Sequence, residues 1–166
     1  MRAVPSRESV GTSRLLGRSS GRHSREGQRR SIAALSGVPL FDGLSRRHLR
    51  RLAGEADIVG FDAGRPIVEE GQAGAAMFVI LAGSARVERA GRRVGALVPG
   101  DFFGELSALD SGPRTASVVS ETPLQALRLF RHTLIDMVRG EPGLVLGFLE
   151  GLARRLRQVQ PGTPVV

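Results

Sequence analysis

The sequence contains no cysteine, lysine, tyrosine or tryptophan, and each absence removes a class of structure or site. Without cysteine, the chain can form neither a disulfide framework nor a thiolate metal site. The sequence has no tyrosine or tryptophan for a platform on which nucleic-acid bases could stack, and all seven phenylalanines fall in the predicted core region. The longest uncharged stretch, residues 71–85, is too short and too rich in glycine to span a bilayer. We therefore expect no membrane partner and a cytoplasmic location.

The positive charge is concentrated at the N-terminus. Residues 1–31 carry eight arginines and two glutamates, whereas the remaining residues carry 16 arginines and 14 acidic residues. A segment rich in Arg, Ser and Gly without apolar periodicity cannot bury enough surface to offset its ordering entropy. We predict a disordered tail over residues 1–31, a folded domain over residues 32–160 and a C-terminal tail over residues 161–166. Any nucleic-acid binding by the basic tail would be weak, nonspecific and salt-dependent.

Between residues 56 and 130 the pattern is that of short strands separated by turn residues, which indicates a sandwich or barrel. A short helical turn around Ile32, stopped by Gly37, and a helix of about nine residues capped by Ser45 precede this region. Helices over Arg131–Arg139 and from Pro142 onward follow it. The predicted strands are Ala56–Phe61, Pro66–Glu69, Met77–Leu81, Ala85–Arg89, Arg93–Val98, Thr115–Ser120 and Leu124–Phe130.

The last helix carries two patterns at a spacing of four residues. One is an apolar stripe of Leu144, Phe148, Leu152 and Leu156, which must bury against another surface. The other is a stripe of glycines at positions 143, 147 and 151. These glycines indicate either close approach of another backbone or of a ligand, or simply a composition bias toward glycine.

Residues 102–117 fit neither a strand nor a long helix. A helical turn over Leu106–Leu109 would offer unpaired backbone N–H groups, and such an N-terminus is a natural anion site. Gly104 before it would let a ligand approach the backbone. The carboxylate of Glu105 suits a ribose hydroxyl, and the guanidinium of Arg114 suits a phosphate. The alternative is that Glu105 and Arg114 form an ion pair that only tethers a loop.

The same segment resembles the phosphate-binding cassette of the cyclic-nucleotide-binding domain family, which includes the catabolite activator protein and cyclic-nucleotide-regulated kinases and channels. The matching runs are Gly104-Glu105-Leu106-Ser107 and Pro113-Arg114-Thr115-Ala116. Further similarity extends over about residues 35–158, including Pro39-Leu40-Phe41 and Pro99-Gly100-Asp101. The resemblance implies a mainly β fold with flanking helices: an eight-stranded β-roll, that is, a jelly-roll-like double-stranded β-helix.

The resemblance also implies ligand roles for seven residues. Glu105 would bind the ribose 2′-hydroxyl and Arg114 the cyclic phosphate, and Thr115 would lie near both phosphate and purine. Backbone amides near Leu106, Ser107 and Ala116 would complete the phosphate contacts. The full predicted set is Gly104, Glu105, Leu106, Ser107, Arg114, Thr115 and Ala116. The ligand is cAMP or cGMP, with cAMP favoured, and no cofactor or metal is expected.

The family's transcription factors continue into a helix-turn-helix, which this sequence lacks after Gln158, so the sequence predicts a stand-alone domain. We expect a non-catalytic receptor that signals through its C-terminal helix, either to an unknown effector protein or within a homodimer. An enzyme is disfavoured because the three histidines have no Cys or Asp cluster beside them. The alternatives are a degenerate dimerising scaffold of the same fold and a nucleic-acid-associated regulator that uses the basic tail.

Overall fold

The computed structural model describes residues 24–158, which form two antiparallel four-stranded sheets flanked by helices. Helix α1 spans Arg25–Ser36 and is followed by a 3₁₀ turn over Pro39–Phe41. Four further helices complete the helical part: α2 Arg46–Glu55, α3 Glu105–Asp110, α4 Arg131–Gly140 and α5 Leu144–Gln158. None of the helices in this part of the chain is long and apolar enough to cross a membrane.

The strands occupy the region in which the sequence predicts them. Their bounds are β1 Asp57–Phe61, β2 Pro66–Val68, β3 Ala76–Ala82, β4 Ala85–Arg89, β5 Arg92–Leu97, β6 Phe102–Phe103, β7 Ser117–Ser120 and β8 Leu124–Phe130. The sheets have the strand orders β1-β8-β3-β6 and β2-β7-β4-β5. Eight strands in two facing sheets with flanking helices confirm the jelly-roll-like β-roll.

Strand β3 separates two hydrophobic cores. Met77 and Val79 pack with the helices, whereas Phe78 and Ile80 point between the two sheets. Successive side chains of a strand point to opposite faces, so a central strand covered on both sides needs apolar residues at every position. This explains why residues 76–82 form an unbroken apolar run.

Helix α1 begins earlier than the sequence suggested. The prediction of disorder is wrong for Arg25–Ser31, which forms the first part of α1, while residues 1–23 lie outside the described part of the chain. The Ser24 hydroxyl caps the helix by accepting a hydrogen bond from the Gly27 backbone N–H at 2.9 Å. Ser31 and Leu35 are buried, so the helix gains stability from packing that its polar composition does not reveal.

The segment over residues 102–117 also contains more regular structure than the sequence suggested. Phe102 and Phe103 form a short strand that pairs with β3, and the short helix begins at Glu105 rather than at Leu106. Two residues of pairing are too few for an alternating pattern to show in the sequence. At the other end of the chain, Pro142 and Gly143 form a turn before α5, so this helix begins two residues later than predicted.

Helix α5 lies against the 3₁₀ turn through two of its glycines. A methyl group at Gly151 would lie 2.7 Å from the Cα of Leu40, and one at Gly147 would lie 3.2 Å from the Cα of Gly43. A methyl group at Gly143 would meet no atom within 4 Å. Close approach of another backbone, one of the two explanations left open, therefore accounts for positions 147 and 151 but not for 143.

These glycines yield a prediction about stability. Gly151→Ala should lower the free energy of unfolding by about 1–3 kcal/mol, because the added methyl group has no room against Leu40. Gly143→Ala should leave the free energy of unfolding unchanged, because the added methyl group would meet no atom within 4 Å. Urea unfolding followed by circular dichroism measures both. Equal effects of the two substitutions would contradict the close packing of α5 on the 3₁₀ turn.

Candidate ligand-binding site

Six of the seven predicted site residues line one small open pocket. It lies between α3 and the segment that enters β7, and Val68 of β2 completes its wall. The seventh residue, Glu105, is fully buried beside it. The lining residues are Val68, Gly104, Leu106, Ser107, Arg114, Thr115 and Ala116. The structure thus brings the two halves of the predicted motif together.

Gly104 sets the course of the backbone on the α3 side of the pocket. It caps α3 with a φ of 80°, a left-handed conformation that glycine adopts at little cost. A methyl group at this position would lie 2.5 Å from Nη1 of Arg114. Both the backbone conformation and the contact with the guanidinium therefore require glycine. The N–H groups of the first turn of α3 have no acceptor within the helix, which leaves donors at the pocket wall.

The Arg114 side chain is held by main-chain carbonyls. Its Nη1 donates to the Gly104 carbonyl at 3.1 Å, and its Nη2 donates to the Ala76 carbonyl at 2.8 Å. Its own backbone is fixed as well, since its N–H donates to the Gln72 carbonyl and its carbonyl accepts from the Gly71 N–H, each at 2.8 Å. The guanidinium is therefore held in one orientation before any ligand arrives.

Burial and a nearby carboxylate act on this guanidinium in opposite directions. Arg114 is only 8% exposed, and this burial lowers its pKa, whereas the negative charge of Glu105 raises it. A guanidinium stays protonated in proteins, so the site keeps a positive charge. A desolvated cation with fixed N–H donors is suited to bind a phosphate.

The sequence did not indicate every residue that shapes the site. Gly74 was not among the predicted site residues, yet a methyl group there would lie 2.1 Å from Nε of Arg114. The Ala76 carbonyl and the Val68 side chain were not identified either. The run of four small residues at positions 73–76 was the available signal, because a bulky arginine needs small neighbours when it packs against main chain.

Comparison with known proteins agrees with this geometry. The family model described as "Cyclic nucleotide-binding domain" matches residues 58–141, a range that includes both halves of the motif and the whole pocket. The chain belongs to this family.

Similar proteins within the family have regulatory roles. The chain is 33% identical over 129 residues to the cyclic AMP receptor protein of Thermus thermophilus, an alignment that covers 75% of this chain and 60% of that protein. It is 38% identical over 108 residues to a cAMP-dependent protein kinase regulatory subunit of Aspergillus fumigatus, covering 63% of this chain and 26% of the subunit. The chain therefore spans less than two thirds of the length of these relatives.

A solved structure has the same fold. The N-terminal domain of a transcriptional regulator from Streptomyces coelicolor superposes with a TM-score of 0.68 at 29% sequence identity. The match covers 75% of this chain and 93% of that domain. The two structures thus share a fold over nearly the whole of that domain.

The histidines of the described part lie outside the pocket. The His48 Nε2 contacts the Glu141 carboxylate, and the ring of His132 stacks on that of Phe130 at a centroid distance of 5.6 Å. Within residues 24–158, no three His, Asp or Glu side chains come together in a way that could hold a metal ion. His23 lies outside the described residues.

The fixed position of Arg114 yields a prediction for the protein without nucleotide. Arg114→Ala should lower the free energy of unfolding by about 3 kcal/mol, because it removes two buried charge-assisted hydrogen bonds and the positive charge beside Glu105. Arg92→Ala, at an exposed position of β5, should change it by less than about 0.5 kcal/mol. Urea denaturation without nucleotide measures both. If the two variants are equally stable, Arg114 contributes nothing to the fold.

Proposed function

We propose that this domain is a non-catalytic receptor for a cyclic nucleotide, with cAMP preferred over cGMP. The observation that carries the proposal is the pocket that combines a desolvated guanidinium with the backbone donors of α3. Both curated relatives described above carry cyclic AMP in their names, which supports the preference. A cyclic phosphate has one negative charge, which matches one buried arginine.

Each site residue has a separate role in this proposal. Arg114 contacts the cyclic phosphate, with backbone N–H groups near Leu106, Ser107 and Ala116 as further donors. Thr115 lies at the open side of the pocket, near the phosphate and the purine. Its hydroxyl can bond either base, so the preference for adenine is the weaker part of the proposal.

Glu105 is proposed to accept a hydrogen bond from the ribose 2′-hydroxyl. Its side chain is fully buried in the structure, so this contact requires α3 to shift when the ligand enters. The same carboxylate stabilises the charge of Arg114. Glu105 thus links recognition of the sugar to that of the phosphate.

Isothermal titration with cAMP and cGMP tests the proposal. Arg114→Ala should weaken binding by about 3–5 kcal/mol, on the order of two to three decades, because the phosphate loses its buried charge partner. Glu105→Ala should weaken it less, because the phosphate keeps its charge partner. Arg92→Ala is the matched control and should bind like the parent.

Arg114→Lys separates binding from folding. Lysine keeps the positive charge, but it lacks the planar group with which arginine can bond two carbonyls and a phosphate at once. The affinity of the Arg114→Lys variant for cAMP should therefore fall between those of the parent and of Arg114→Ala. Circular dichroism first establishes that each variant is folded at the titration temperature. Parent-like affinity of a folded Arg114→Ala protein would show that the phosphate binds elsewhere.

We further propose that α5 carries the signal. The turn at Glu141, Pro142 and Gly143 separates it from α4, which makes this turn the hinge. In the structure, α5 is docked through Phe148, whose ring meets that of Phe41 edge to face at 5.9 Å, and through an ion pair of Arg154 with Asp42 at 3.5 Å. A ligand shifts such a helix only by its different affinities for the two positions.

The outer face of α5 is the surface that a partner would contact. The predicted apolar stripe divides here, because Leu144 and Phe148 are buried whereas Leu156 is 68% exposed. Leu146 and Leu149 are exposed too, at 64% and 57%. An exposed apolar helix face favours protein–protein contact, and the proposed partner is a second copy or an effector. The degenerate scaffold would use this same face without binding nucleotide.

Hydrogen exchange tests the role of α5. Saturating cAMP should raise protection across residues 142–158 as well as around residues 104–116, because the docked position becomes more populated. Sedimentation velocity on the same samples reports whether a second copy joins. If cAMP raises hydrogen-exchange protection only at residues 104–116, the domain binds nucleotide but α5 does not carry the signal.

A regulator that binds nucleic acid through the tail remains the second candidate function. Its support is the excess of arginine over acidic residues in residues 1–31. Arg25, Arg29 and Arg30 of that segment belong to α1, so part of the charge sits on a folded helix.

A further inference from the structure

An open groove of about 500 Å³ lies between α1 and α2, away from the nucleotide pocket. Four arginines line it, Arg25 and Arg29 from α1 and Arg46 and Arg50 from α2. Between them lie the apolar side chains of Ile32 and Leu49. In each helix the two arginines are four residues apart, so they share one face.

The charge of this groove is uncompensated. Its lining residues include no aspartate or glutamate. The four arginines are exposed, and within residues 24–158 none of them takes part in an ion pair. Four cations that line one groove repel one another, so a bound polyanion would be favoured by removing that repulsion.

Residues 1–23, residues 159–166 and α5 are not complementary in charge to the groove. Residues 1–23 contain five arginines and one glutamate, and residues 159–166 contain no charged side chain. The exposed apolar face of α5 ends beside Arg154 and Arg157, so the α5 of a second copy would bring charge of the same sign. Neither of these segments nor the α5 of a second copy has the charge to complement the groove, whereas an acidic helix of another protein would have it.

The apolar side chains of Ile32 and Leu49, which we call the floor of the groove, favour an acidic protein helix over nucleic acid as the bound polyanion. Ile32 is half-buried and Leu49 is 6% exposed, and the lining contains no aromatic ring on which a base could stack. An amphipathic helix laid in a groove presents apolar side chains at the centre and charged ones at the sides. The lining of the groove contains both kinds of residue that such a helix would contact, namely apolar side chains and arginines that can bind carboxylates.

We propose that the α1–α2 groove docks an acidic amphipathic helix of another protein. The apolar face of that helix would cover Ile32 and Leu49, and its flanking carboxylates would pair with the four arginines. Helix α1 has 12 residues, a length of about 18 Å, which matches three turns of a docked helix. This surface is separate from the nucleotide pocket and gives the domain a contact that does not depend on α5.

The probe is a fluorescein-labelled 16-residue peptide with leucine on one helical face and glutamate on the flanking positions. Fluorescence anisotropy measures its binding to the whole chain and to two double variants. Arg46→Gln with Arg50→Gln should weaken binding about tenfold, because two ion pairs at the groove are lost. Arg47→Gln with Arg51→Gln removes the same charge from the same helix, outside the groove, and should leave the affinity within about twofold.

Three further measurements complete the test. A peptide of the same composition with its leucines scattered around the helix should bind at least tenfold more weakly, since it cannot cover the floor of the groove. A labelled 16-nucleotide DNA strand and vesicles of phosphatidylglycerol should not share the dependence on Arg46 and Arg50. Titration with cAMP on the same variants should be unchanged, which separates this proposal from nucleotide binding.

The proposal is overturned if both double variants weaken peptide binding equally. The peptide would then be attracted by the net positive charge of the protein and not by the groove. It is also overturned if the scattered peptide binds as well as the amphipathic one. Binding of the DNA strand or the vesicles with the same dependence on Arg46 and Arg50 would assign the groove to nucleic acid or lipid instead. Circular dichroism confirms that every variant is folded.

Discussion

The burial of one guanidinium organises the pocket side of this domain. Arg114 must satisfy its donors away from water, and it does so on the carbonyls of Gly104 and Ala76, which belong to segments far apart in the chain. An unpaired buried charge would be prohibitive, so the surrounding main chain is constrained to provide acceptors. Glycine at positions 74 and 104 follows from this constraint, because any larger residue would overlap the guanidinium.

The sequence predicted the strands well, and for a physical reason. Turn residues delimit them, and β4 and β8 have the predicted bounds because a glycine, a proline or a helix start lies at each end. The sequence failed where stability comes from distant contacts. Residues 25–30 of α1 are polar or glycine. Only the burial of Ser31 and Leu35, farther along the same helix, shows that α1 belongs to the fold.

For the candidate site, the sequence predicted which residues take part but not how they are arranged. The side chains that carry charge, Glu105 and Arg114, stand out because such residues between glycine and small neighbours have few structural roles. Their mutual arrangement was not predictable. Whether they form a simple tether or a pocket depends on main-chain carbonyls of β3 and on the Gly71–Gln72 loop, and carbonyls leave no signature in a sequence.

Strand β3 gives the domain a mechanical property as well as a core. Its Met77 and Val79 press on the helices, its Phe78 and Ile80 press on the barrel interior, and its first residue, Ala76, holds Arg114. Packed protein interiors have low compressibility. Strand β3 is thus in direct contact with the guanidinium of the pocket and with both hydrophobic cores, so a substitution in this strand would alter all three at once.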